Sequence, residues 1–170
     1  MKSPSPQAGK LSARDICILA LMGALMFVSK MALAALPNIH LNAVLIILGV
    51  VFFGAKALYS IIVYIMLEGL IFGFGLWWLS YLYVWPIFCL AALLMRKNDS
   101  ALVWAVVAAV FGLSFGALCS IPYFFIGGWE MAFSYWISGI PFDLSHCAGN
   151  FILTLILYKP LSQIMAKLTA

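Results

Sequence analysis

Charge is what this chain has least of. Only 8% of its 170 residues are Asp, Glu, Lys or Arg, where a soluble domain averages about a quarter. With 66% hydrophobic residues, water cannot be the solvent for most of the surface. That excludes an ordinary soluble domain and points to an all-α integral membrane protein. The net charge of +4 comes from basic residues scattered along the chain, with no stripe or patch for nucleic acid. Cysteine is also scarce. Cys17, Cys89, Cys119 and Cys147 form no CxxC pair and all lie in apolar stretches, which argues against a disulfide framework or a metal centre and for inert buried thiols. Enzyme signatures are missing too: there is no HExxH, GxSxG, P-loop or dinucleotide fingerprint. The expectation is a non-enzyme without cofactor or metal.

The opening "MKSPSPQAGKLSARD" is polar and rich in Ser and Pro. Residues 1–14 are expected to be a short disordered cytoplasmic tail, and 15–170 a single membrane domain. A signal peptide would place its apolar run nearer the start and follow it with a small-residue cleavage site. Here the first apolar run begins at Ile16 and is long enough to span.

Charges, prolines and glycines cut the remainder into six apolar segments: Ile16–Ala35, Leu41–Phe53, Ala57–Phe72, Leu79–Met95, Ala101–Ile121 and Pro141–Tyr158. Each is expected to be a transmembrane helix. The second and third fall short of the roughly 20 residues a span needs, so they must tilt or borrow flanking residues. If the N-terminus is inside, the inner tails and loops hold Lys2, Lys10, Arg14, Lys56, Arg96, Lys97, Lys159 and Lys167, and the outer loops hold no Lys or Arg. By the positive-inside rule both termini should be cytoplasmic. The outer loops read "LPNIHLN", "GFGLWW" and "IPYFFIGGWEMAFSYW", and collect aromatic, amide and acidic groups. Small residues four apart, Ala20 with Ala24 and Gly112 with Gly116, suit close helix packing, either inside the bundle or against a partner protein.

Polar residues inside such helices are costly and therefore informative. Asp143, His146 and Asn150 stand at i, i+3 and i+7. At 100° per residue Asn150 lies about 20° and His146 about 60° around from Asp143, so the three share a face. With Gly139 and Pro141 read as the helix start, Asp143 falls in the first turn, where the helix dipole favours an anion. Glu68 lies inside the third segment and Lys30 inside the first. Lys30 can pair with Glu68 or Asp143 to lock helices, contribute to a polar pocket open to the outside, or snorkel to the interface. Trp78, Tyr81 and Trp85 again share one face, with Trp77 beside them and Trp129 in the outer loop. They suit an interfacial belt or the walls of a site for a flat ligand. If "LPNIHLN" is extended, alternation puts Asn38, His40 and Asn42 on one side. His40, His146 and Glu68 could bind a metal, but without ligand spacing.

Six helices in 170 residues, the alanine pair on the first, the "LPNIHL" loop, "GFGLWWLSYLYVWP" and "GIPFDLSHCAGNFILTLILYKPL" together resemble the S component of energy-coupling factor (ECF) importers, from about Leu11 to the end. That family's S component captures a vitamin or similar nutrient outside a bacterial or archaeal plasma membrane. The resemblance implies a pocket built from Asn38, His40, Asn42, Glu68, Trp77, Trp78, Tyr81, Trp85, Trp129, Asp143, His146 and Asn150. It also implies docking through Ala20 and Ala24 to a transmembrane coupling (T) protein powered by two ATPase subunits. Lys30 has no counterpart in that pattern. The competing readings are an intramembrane enzyme using Asp143, His146 and Glu68, a ligand-free scaffold, and a carrier driven by an ion gradient.

Overall fold

The structure, a computed structural model, describes residues 11–36 and 38–169. Lys2, Lys10, most of the expected tail and Pro37 lie outside the described residues. Everything described is helix or connection: α1 (Ala13–Ala32), α2 (Asn42–Phe53), α3 (Leu58–Phe72), α4 (Leu76–Leu94), α5 (Ala101–Cys119) and α6 (Ile121–Thr169). Five helical runs are long and apolar enough to cross a membrane: α1, the 31 residues from Asn42 to Phe72, α4, α5 and α6. Large apolar side chains such as Leu21, Leu70, Leu94, Val110 and Ile156 are exposed on them, a surface that suits lipid better than water.

Residues 13 and 14, expected in the tail, already belong to α1. Ser12 starts that helix by accepting from the Asp15 amide, while the Asp15 carboxylate accepts from the Ser12 amide. This reciprocal box satisfies two otherwise free donors of the first turn.

The run from Asn42 to Phe72 folds back on itself. A 3-10 turn, Gly54–Ala57, separates α2 from α3, and Gly54 has φ +62°, a conformation that suits glycine. A Cβ on Gly49 would lie 3.1 Å from the Ala57 Cβ, whereas eight residues of straight helix span about 12 Å. Within α2 only Phe52 is not buried. It is the central helix, and its near-continuous apolar sequence follows from having protein on every side.

The last helix departs from expectation. Helix was expected from Pro141 to Tyr158, after a loop. The structure instead interrupts α6 at Gly127 and Gly128 (φ +72°) and then runs helical through Pro141 and Pro160 to Thr169. Asp143 is therefore not in a first turn, and no helix N-terminus lies beside it to favour its charge. Proline lacks the amide for only one intrahelical bond. The aromatic residues before it pack at helical spacing, Trp129 on Phe133 (5.9 Å between centroids) and Phe133 on Trp136 (6.2 Å), which favours helix there.

Candidate functional site

The long helix α6 lies against α5, and glycine sets how closely. A Cβ on Gly112 would come within 2.8 Å of the Cys147 amide nitrogen and the His146 carbonyl carbon, and one on Gly116 would collide with the Asp143 carboxylate. Gly112 and Gly116 thus form the internal packing stripe. The Gly116 amide donates to Asp143 Oδ1 at 2.9 Å, and Asn150 Nδ2 donates to the Ala108 carbonyl at 3.0 Å. His146 sits between those two anchors, wholly buried.

The connection between α1 and α2 folds over this face. Its backbone is not extended: Asn38 has φ +58°, in the left-handed region. Asn38 consequently stays at the rim, where its Nδ2 donates to the Phe142 carbonyl at 3.2 Å. The Leu41 amide donates to Ser29 Oγ at 3.3 Å. Between these ties the chain drives His40 inward and starts α2 with Asn42, both buried. The His40 ring meets His146 edge-on at 5.1 Å and Trp85 at 6.0 Å. Burial, reinforced by the positive charge of Lys30, pushes the His40 imidazole from 6.5 down to about 4.

Trp85 is the hub of the aromatic wall. It is fully buried and touches Tyr64 (5.6 Å), Tyr81 (5.8 Å), Phe111 (5.5 Å) and Phe115 (5.5 Å). Phe115 in turn lies 4.9 Å from His146. On α3 the Tyr64 hydroxyl neighbours Glu68, Asn42 and Tyr81, yet it completes no hydrogen bond of good geometry. Glu68 is fully buried and holds Lys30 Nζ at 2.6 Å. The same ammonium stands over the rings of Phe72 (5.3 Å), Tyr81 (5.6 Å) and Trp77 (6.0 Å), an aromatic cage around a cation.

Much of this polarity is buried without a partner. Orphaned atoms include His40 Nδ1, both side-chain ends of Asn42, Tyr64 OH, Glu68 Oε1, Trp85 Nε1, Asp143 Oδ2, both His146 nitrogens and Asn150 Oδ1. Native interiors tolerate only a few such groups per hundred residues. Here they converge from α2, α3, α4 and α6 under one aromatic wall.

No family model, curated protein or solved structure matches the chain.

The structure brings together His40, Asn42, Glu68, Tyr81, Trp85, Asp143, His146 and Asn150, with Trp77 at the Lys30 cage and Asn38 at the rim. Two expected members stand apart. Trp129 is 67% exposed, because the α6 break turns it outward. Trp78 spends its indole N–H on the Ile65 carbonyl at 2.9 Å, tying α4 to α3. Tyr64, Phe111 and Phe115 were not singled out from sequence, although Tyr64 precedes Glu68 by one helical turn and the two phenylalanines flank Gly112 at i, i+4 spacing. Asp143 and His146 share no hydrogen bond. Among the described residues no three His, Cys, Asp or Glu side chains form a metal-holding group. Of the alanine pair, Ala20 is exposed and Ala24 half-buried, while Gly23 takes the close approach to Ser60 and Val63 on α3.

Proposed function

We propose that this chain is the substrate-capturing subunit of an ATP-driven importer of the ECF type, taking up a vitamin-like micronutrient. The observation that carries the reading is the convergence of unpartnered, fully buried polar atoms beneath the Trp85 wall. A mostly apolar box with a few converging polar groups is the general form of a small-molecule site. The bare polar atoms also give such a box its selectivity, because a ligand without matching groups leaves them unpaired. The resemblance of the sequence supplies the transporter class.

The wider reading has six crossings, with α2 and α3 as separate spans and both termini in the cytoplasm of a bacterial or archaeal cell. The distribution of Lys and Arg supports that orientation. The exposed Ala20 on α1 leaves a face free for the coupling protein, and two ATPase subunits drive the cycle.

The test is native mass spectrometry of the protein purified in mild detergent from cells grown in rich medium. A stoichiometric small molecule is expected, and it should be lost from Trp85→Ala and Asp143→Ala proteins that still fold. A clean apo mass that a vitamin panel cannot shift would count against capture and favour a ligand-free scaffold.

A further inference from the structure

The charges buried in the site do not balance. Glu68 and Asp143 are both buried, and Lys30 is bonded to the first. Asp143 places Oδ1 on the Gly116 amide and leaves Oδ2 without a partner. His40 is neutral at pH 7, and His146, 5.1 Å from it between ring centroids, is wholly buried, where a lone imidazolium is costly. Among the remaining orphans Glu68 Oε1, Asn42 Oδ1 and Asn150 Oδ1 need donors, Trp85 Nε1, Asn42 Nδ2 and one His146 nitrogen carry N–H groups, and Tyr64 OH can donate or accept.

The fold already holds one cation with such a set. Lys30 places its ammonium between the Glu68 carboxylate and three aromatic faces. Asp143 lies one helical turn before His146, whose ring packs on Phe115, and Phe115 in turn meets Trp85. A bare carboxylate in an apolar wall is costly unless paired, and electron-rich rings favour a desolvated cation. We infer that the captured molecule is a cation, a positively charged nitrogen heterocycle or amine bearing N–H donors, and that Asp143 is its counter-ion. This rests on the capture reading above and narrows its substrate class.

A matched set of probes tests it. Thiamine and 1-methylnicotinamide are cations, nicotinamide and pyridoxine are neutral, and nicotinate and biotin are anions. Binding to the purified full chain is followed by native mass spectrometry and tryptophan fluorescence at pH 7. A cationic probe is expected to bind one-to-one and more tightly than every neutral or anionic probe. Asp143→Asn should weaken it at least about thirtyfold, the smallest effect of stripping one partner from a buried charge pair. Asparagine still accepts from the Gly116 amide, so the link between α5 and α6 survives, and gel filtration with thermal unfolding checks the fold. Trp129→Ala, at an exposed position away from the site, should leave binding unchanged. If a neutral or anionic probe binds as well as the cations, or Asp143→Asn binds like the parent, the charge inference fails while capture stands. If no probe of any charge binds, capture fails and this inference with it.

Discussion

Glu68 has no exposed surface, and its side chain depends on a lysine that is 31% exposed. Removing one member of such a pair leaves a buried charge, whereas replacing both with apolar groups is often neutral. Lys30→Met is therefore expected to lower stability by about 2 kcal/mol, the partial exposure of Lys30 reducing the usual penalty. The double variant Lys30→Met/Glu68→Leu should recover most of the loss in detergent unfolding curves. A double variant worse than the single would show that Glu68 matters through other contacts. His40 gives a pH signature. Its folded value of about 4 lies below the ordinary 6.5, so the unfolded chain takes up the proton first as pH falls. The stability it contributes is complete above about pH 6.5 and is lost toward pH 4, roughly 3 kcal/mol in all. Melting temperatures between pH 7 and 4.5 should fall for the parent and fall less for His40→Gln; equal slopes would refute the assignment. At this scale the sequence was informative where helical spacing applied. Asp143, His146 and Asn150 do share a buried face. It was uninformative for Trp129, whose placement depends on a backbone break that no residue spacing encodes.

At the scale of the helix, glycine separates three effects. Gly112→Ala would push its Cβ into the backbone of α6, and overpacking of that kind costs about 1–3 kcal/mol. Gly128→Ala meets no neighbour but must adopt φ +72° with ψ −165°, a region nearly confined to glycine, at a cost of about 1–3 kcal/mol. Gly139→Ala meets nothing and sits in helix, so it should stabilise by about 0.5–1 kcal/mol. Thermal unfolding should show the first two variants destabilised and the third stabilised, and ligand binding should suffer only in the first, where His146 and Asp143 shift together. The positions of the helices followed from the apolar runs, because burial in protein or lipid demands them. The extent of α6 did not. Gly127-Gly128 and Pro141 read as loop and start signals, yet one glycine pair suffices for the break, and a proline inside a long packed helix sacrifices a single bond at Ile137.

For the molecule as a whole, the prediction concerns sidedness. In a chain whose four cysteines are replaced by alanine, Lys97→Cys should react with an impermeant maleimide only after the cells are opened, and Gly128→Cys should react in intact cells. The reverse pattern would invert the topology and place the site at the cytoplasmic face. Sequence could suggest this orientation because Lys and Arg cluster in alternate connections. It could not show that α2 would be the hub, because a buried helix and a lipid-facing one are written in the same apolar residues.

From Trp129 to Thr169, α6 continues past the break as helix, a rod about 60 Å long at 1.5 Å per residue. The hydrocarbon layer is only about 30 Å thick, and helices tilt by no more than about 40°. The rod therefore overshoots the membrane however it leans. Trp129, Phe133, Ile137 and Ile140 are exposed along its first turns, at a spacing that puts them on one side. Greasy and uncovered, that stretch suits the headgroup boundary. Acyl-chain length then becomes a variable for this protein: thick bilayers would draw the stretch inward and thin ones would lay it flat, shifting the floor of the site with it.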